Sequence, residues 1–264
     1  MTSTSGTPGA TPPFAGLDGR RAVVTGASRG IGKAIALEFA RAGADLVVHS
    51  RSLESQILAT RDELRRTGRN VEHLVQDFSE TYDCDAFVDR AWRLLGGIDV
   101  WVNNAGADLL TTPAARGAYQ VKLQALLDVD VRSTLLLSKS VGGRMCESGG
   151  GVIINIGWDQ AERGMAGDSG ELFAAAKSAI MGFTRSLAVS LAPTVRVDCI
   201  APGWIRTAWG EQASAMWQER VVRETPLARW GTPEDVAWLA RFLASDHAAY
   251  ITGQVINANG GAVR

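Results

Sequence analysis

The chain of 264 residues has only three cysteines, Cys84, Cys146 and Cys199, and no Cys-x-x-Cys pair. Spread this way they build neither a disulfide framework nor a thiolate metal site, and small apolar core residues in a reducing compartment account for them. The three histidines, His49, His73 and His247, are equally scattered, and no metal-ligand spacing emerges, so no metal is expected. No run approaches the roughly 18 apolar residues of a membrane span. The net charge of −1 gives no global field that would favour nucleic acid or an acidic membrane. Residues 1–15, rich in Thr, Ser, Gly and Pro, lack the charged start and apolar centre of a signal peptide. They are expected to form a disordered tail on a cytoplasmic protein.

What the sequence does contain is a regular alternation. A composition of 46% hydrophobic and 21% charged residues suits one large α/β domain, spanning residues 16–264. Short apolar runs predict strands at 21–25, 45–49, 71–76, 99–103, 152–156, 195–200 and 254–258. Between them lie helical spacings: Ile31, Ala34, Ile35 and Phe39; Leu53, Ile57 and Leu64; Phe87, Ala91 and Leu94. Longer helices are expected at 119–146 and 171–191, and a last one begins at Pro233, a residue suited to the first helical turn. The pattern predicts a doubly wound Rossmann sheet of seven parallel strands with helices on both faces. Its ligand would lie at the carboxyl ends of the strands.

The first strand turns into its helix through Thr25-Gly26-Ala27-Ser28-Arg29-Gly30-Ile31-Gly32. Glycine allows positive φ and a close backbone approach, and the unpaired N–H groups of a helix start attract phosphate. The plain alternative is a tight βα turn whose glycines serve packing alone. The apolar run before the turn and the helical pattern after it favour a nucleotide phosphate. All the other informative stretches also follow predicted strands: His49–Arg51, Asp77, residues 103–106, Gly157-Trp158 and residues 202–207.

Here the chain resembles the classical branch of the short-chain dehydrogenase/reductase family, over about residues 16–262. The resemblance rests on the turn at 25–32, Asn103-Asn104-Ala105-Gly106, Phe173-Ala174-Ala175-Ala176-Lys177, Ala201-Pro202-Gly203-Trp204-Ile205-Arg206-Thr207, and Ile251-Thr252-Gly253-Gln254 with Gly260-Gly261. Within the family it looks most like 3-oxoacyl-carrier-protein reductases and related polyketide or sugar reductases. The resemblance implies a nicotinamide cofactor on Gly26, Ser28, Arg29, Gly30, Ile31 and Gly32. Asp77 and Phe78 would lie near the adenine, although an acid at position 77 also suits a helix start. Asn104, Ala105 and Gly106 would wall the cofactor. Pro202, Gly203, Ile205 and Thr207 join them, with Thr207 matching the residue that bonds the nicotinamide amide. Arg51, at the end of the second strand, stands where a carboxylate would bond the ribose 2′-OH of NAD. With Arg29 it can pair with a 2′-phosphate, which favours NADP(H) over NAD(H); the alternative for either arginine alone is a solvated surface charge.

The catalytic positions depart from the family. Its members place a proton-transferring Tyr four residues before a Lys that binds the ribose, a Ser after the fifth strand, and an Asn on the preceding helix. Lys177 is present here, but Phe173, Trp158 and Asp130 occupy the other three positions. The loop before Phe173 runs about two residues longer than usual, so Asp159 or Gln160 could occupy the serine's space. Phe has no exchangeable proton, and losing a positioned acid costs about 10²–10⁴ in rate, or ~3–5 kcal/mol of barrier. Three readings stay open. The first is an oxidoreductase with another acid, drawn from Asp159, Glu162, Asp168 and Glu171 in the loop or from Asp130. The second is a non-catalytic cofactor-binding sensor or partner subunit. The third is non-redox chemistry on a Lys177–Asp130 polar pair.

Trp158, Trp204 and Trp209 suggest an aromatic, partly apolar pocket for a small molecule, under a lid at residues 204–230. The consecutive Leu135, Leu136 and Leu137 suggest a homodimer or homotetramer. The arginine argument has a direct check: Arg51→Asp should weaken binding of NADPH more than that of NADH in fluorescence titrations. An unchanged preference would refute it.

Overall fold

Strand residues with no polar face lie between two covering layers, and the central strands here are of that kind. The computed structural model describes residues 14–109 and 116–264. Its strands are β1 (Arg21–Val24), β2 (Asp45–Ser50), β3 (Val71–Val75), β4 (Val100–Asn103), β5 (Gly151–Ile156), β6 (Val195–Pro202) and β7 (Val255–Ala258). All pair in parallel, in one seven-stranded sheet of order β3-β2-β1-β4-β5-β6-β7. The chain winds outward both ways from the β1/β4 pair, so the crevice of this sheet opens there.

Successive strand residues face opposite layers. Val24, Leu46 and Val48 pack with Ile35 and Phe39 of α1 (Gly30–Arg41), Ile57 and Leu64 of α2 (Ser55–Arg65), and Val236 and Leu243 on a late helix. Val23, Val47, Trp101 and Ile153 face Phe87 and Val88 of α3 (Cys84–Leu95), and Leu137, Val141 and Leu187 on helices further along. Leu53 is not part of the α2 face: it precedes the helix and is exposed.

The expected helix over 119–146 is α4 (Tyr119–Leu126) and α5 (Ser133–Glu147), joined by a π-helical turn over Leu127–Arg132. The next helix, α6, runs Asp168–Leu191, so it starts three residues before the expected boundary. It is long and apolar enough to cross a membrane. In the fold, however, its Leu172, Ile180, Met181, Leu187 and Leu191 are buried. After β6 come α7 (Ala208–Gln212), α8 (Ala215–Glu224) and α9 (Pro233–Ala244), the last opened by a capping box between Thr232 and Asp235. Phe14 and Ala15, assigned to the tail by the sequence, are docked on α9: Arg241 bonds both carbonyls, and the Phe14 ring lies 6.1 Å from that of Phe242. Residues 1–13 of that tail lie outside the described residues.

A buried polar chain crosses the sheet just below the crevice. Trp101 Nε1 donates to Asn103 Oδ1 at 2.8 Å, and Asn103 Nδ2 donates to Ser138 Oγ and Asn155 Oδ1, each at 2.8 Å. Asn155 Nδ2 continues to Thr184 Oγ1 at 2.9 Å. These bonds hold β4, β5, α5 and α6 together under the site. Asn103→Ala would leave several buried groups without partners, each costing about 1–3 kcal/mol. A loss of about 2–5 kcal/mol, read from urea midpoints at unchanged slope, is the expected outcome.

Candidate active site

The turn after β1 is built for close approach. Gly26 has φ +64°, and a Cβ there would lie 2.8 Å from Ala105 Cα. A Cβ on Gly32 would lie 2.3 Å from Asn104 Nδ2 and 2.4 Å from Gly26 O. Asn104 Nδ2 donates to Thr25 O and Gly26 O, both at 3.0 Å. Thr25 Oγ1 accepts from the N–H groups of Asn104 (2.9 Å) and Ala105 (3.0 Å). Helix α1 has no side-chain cap at Arg29, so the N–H groups of its first turn lack a side-chain acceptor there. Thr207 packs here too, with Cγ2 3.4 Å from where a Cβ on Gly30 would stand. The cradle fits the phosphates of a dinucleotide.

The neighbouring strand ends complete it. Ala27 N–H donates to His49 O at 2.9 Å and Gly26 N–H to His49 Nδ1 at 3.2 Å, which ties the turn to β2. Arg51 follows β2 and is exposed. Arg29 is half-exposed and contacts Asp108 at 3.4 Å. Asp77 caps a turn by accepting from Ser79 N–H and Oγ–H. The Phe78 ring points into the core and stacks on His49 at 4.2 Å, so only its backbone borders the adenine side. Ile205 and Pro202 are likewise buried, leaving backbone to the crevice.

At the other end, the widened turn before α5 directs Asp130 inward, and a π turn of this kind often marks a functional position. Asp130 is fully buried: Oδ1 accepts from Ala107 N–H at 2.7 Å, and Oδ2 lies 2.9 Å from Lys177 Nζ. Lys177 Nζ also donates to Ile156 O at 3.1 Å. Lys177 and Phe173 share a face of α6, as their spacing requires. The Phe173 ring meets Trp158 edge-on, with centroids 5.9 Å apart. Trp158 continues β5 in extended backbone. The four catalytic-type positions are thus together, but two of them form an apolar wall.

The candidate acids separate clearly. Asp168 and Glu171 are not in the loop: both lie in the first turn of α6, where Asp168 pairs with Lys122 at 3.1 Å. Glu162 is half-exposed and faces Arg185. Asp159 differs from these, being 1% exposed. Its Oδ2 accepts from Asn259 Nδ2 (3.1 Å) and Gln160 Nε2 (3.3 Å), while its Oδ1 has no hydrogen-bond partner among the described residues. Burial pushes its carboxyl up to about 6, against the lowering effect of those N–H donors. A Cβ on Gly203, in the cofactor-side loop after β6, would lie 3.2 Å from Oδ2.

The segment between β6 and α9 has a core of its own. Trp204 does not line an open pocket: it is buried with Trp217 (5.4 Å between centroids) and Trp230 (6.5 Å), and Met165 packs on the group. The Trp209 side chain lies outside the described residues. Sequence reasoning missed Asn259 as the partner of Asp159, and His49 as the anchor of the turn. Their partners are a residue a hundred positions away and a backbone N–H, which leave no local pattern.

The family model described as enoyl-(acyl carrier protein) reductase matches residues 26–263. The 3-oxoacyl-[acyl-carrier-protein] reductase of Synechocystis is 37% identical, over 94% of this chain and 98% of its own. A 7α-hydroxysteroid dehydrogenase solved with NADH and 7-oxo glycochenodeoxycholic acid is 32% identical, with a TM-score of 0.83 over 95% of this chain and 96% of that one. A solved chain from Beutenbergia cavernae with NADP bound at low occupancy is 34% identical, with a TM-score of 0.83 over 94% and 98%.

The raised Asp159 carboxyl carries a stability signature. The folded state holds this proton more tightly than the unfolded chain, whose aspartates titrate near ~3.9. Its contribution therefore favours folding at low pH and is lost as pH rises through about 6. The loss is about 2 kcal/mol between pH 4 and 8. Asp159→Asn should gain on the wild type across that interval in urea denaturation. Parallel stability curves for the two proteins would contradict a buried, raised acid.

Proposed function

The chain belongs to the short-chain dehydrogenase/reductase family, whose members bind nicotinamide cofactors, and from that membership we propose that it is an NADP(H)-dependent oxidoreductase. Its substrate is a small, partly apolar molecule with a carbonyl or hydroxyl group, and Asp159 takes the place of the missing tyrosine. The observation that carries this reading is the Asp159 carboxyl: buried, raised to about 6 and packed against Gly203.

NADP(H) is supported by Arg29 and Arg51, two cations on adjoining strand ends with no acid at the end of β2. The glycine turn would hold the pyrophosphate, Lys177 the nicotinamide ribose and Thr207 the carboxamide. When bound, the cofactor supplies the hydride that adds to the carbonyl carbon. The chain must then deliver a proton to the carbonyl oxygen. With Oδ2 of Asp159 accepting two N–H bonds, the proton of the neutral form sits on Oδ1. Oδ1 is covered and otherwise unpartnered among the described residues. It would donate that proton to a substrate oxygen that displaces the atoms over it, and in the oxidative direction the carboxylate would take it back. Asp130 suits the role less well, being committed to Lys177 and the Ala107 N–H. Cytoplasmic homodimers or homotetramers complete the reading; Leu136 on α5 and Val189 on α6 are exposed apolar side chains that an interface would cover.

One observation favours a second reading, a cofactor-binding protein without turnover. The Trp158–Phe173 edge contact sets apolar rings where the family's hydroxyls would meet the substrate oxygen.

A carbonyl panel with NADPH separates the two. Under the first reading, Asp159→Asn lowers turnover about 10²–10⁴-fold while NADPH binding stays unchanged, and the wild-type reductive rate falls above about pH 6. Undiminished turnover in that variant would remove Asp159 from the mechanism. Silence of the parent across the panel, with activity gained by Phe173→Tyr plus Trp158→Ser, would establish the second reading.

A further inference from the structure

Gly26 is gripped from both sides. Its carbonyl accepts from Asn104 Nδ2 at 3.0 Å, and its N–H donates to His49 Nδ1 at 3.2 Å. Only one tautomer allows this. Nε2 must carry the proton, and it lies 2.8 Å from Gln76 O, the acceptor that proton needs. Burial pushes the imidazole down to about 4, so the ring stays neutral and Nδ1 stays an acceptor. The ring also lies flat on Phe78, 4.2 Å away and inclined by 17°, and edge-on to Phe87 at 5.3 Å. One side chain on β2 therefore touches the turn after β1, the exit of β3 and the residue beyond Asp77. An apolar ring would fill the same stack, but it would leave the Gly26 N–H and Gln76 O unpaired. The imidazole is only 2% exposed, and its hydrogen bond toward the cleft is the one from Gly26 N–H.

Resting on the reading that the 25–32 turn holds a dinucleotide, we infer that His49 is a positioning residue for cofactor affinity, acting through Nδ1 on the Gly26 peptide. The bond sets the plane of that peptide. The peptide in turn sets how the following N–H groups, up to the start of α1, face the pyrophosphate. The bond to Gln76 is the structural half of the same side chain: it locks the tautomer and holds β3.

Two isosteric substitutions separate the halves. In His49→Asn, Oδ1 takes the place of Nδ1 as acceptor for Gly26 N–H, and the bond to Gln76 is lost. In His49→Gln, Nε2 takes the place of the ring donor to Gln76, and Gly26 N–H loses its acceptor. Each variant gives up one hydrogen bond and the aromatic stack, so both should lose similar thermal stability. Cofactor affinity should split: His49→Gln weakens NADPH binding about fivefold, the worth of one hydrogen bond, whereas His49→Asn stays within about twofold of the wild type. The Gly26 amide proton, followed by NMR in the free protein, should move upfield in His49→Gln and keep its shift in His49→Asn. Equal affinity losses in the two variants, or an unmoved Gly26 amide in His49→Gln, would overturn the inference and leave His49 a packing residue. Wild-type protein that bound neither NADPH nor NADH would overturn the cofactor reading itself, and this inference with it.

Discussion

The crevice depends on how β1 and β4 are joined where they separate. The strand order reverses between them, so no crossover helix fills the gap at their carboxyl ends. Backbone groups there lie beyond the ladder and still need partners. Thr25 and Asn104 supply them reciprocally: the threonine hydroxyl accepts two N–H groups of the β4 exit, and the asparagine amide donates to two carbonyls of the β1 exit. This stitching brings Ala105 Cα to where a Gly26 side chain would stand, so glycine follows from the bonds rather than accompanying them. The reference frame then extends outward. Gly106 runs close over Asp130, with a would-be Cβ 2.9 Å from Oδ2, and the Ala107 N–H fixes the same carboxylate.

At Asp130 the chain has an acid where its family resemblance implies an amide. The two groups around it are both donors, the Ala107 N–H and the Lys177 ammonium. An amide offers one acceptor atom and would turn a donor toward one of them, whereas a carboxylate offers two acceptors. It also neutralises a lysine that is itself buried, and breaking such a pair from one side is costly. The ammonium is directed to Asp130 and Ile156 O. The π turn makes this possible, because the extra residue rotates Asp130 inward without displacing Ser133, Leu137 and Val141 of α5 from the core.

The central strands are legible because they are apolar on both faces, and the glycine turn because a strand and a helix flank it. The start of α6 was not legible. Asp168-Ser169-Gly170 reads as loop by composition, yet Gly167 at φ +93° breaks the chain before it, and an acid suits the positive end of a helix. Trp204 was misjudged for another reason. Its place after β6 is visible in sequence, but its neighbours Met165, Trp217 and Trp230 come from segments whose meeting has no periodic signature. The buried contacts that tune the site are the least legible of all, because Asp159 with Asn259 and His49 with Gly26 join distant positions through single polar atoms.

In the proposed reaction, Trp158, Phe173 and Asp159 act as one unit. Hydroxyls at the first two positions would bond a substrate oxygen and carry water with them. Two rings meeting edge-on leave no hydroxyl at either position. Burial penalises a carboxylate more than a carboxylic acid, which is the direction in which Asp159 is displaced. Two N–H donors on Oδ2 limit that displacement, so the group stays near the pH at which a proton can both leave and return. Under the proposed reaction, an aromatic wall without the acid would leave the substrate oxygen with no proton source, and an exposed acid would hold its proton only in the ordinary carboxylate range, near ~4. Under that reading, the apolar wall and the buried acid are compatible with chemistry only together.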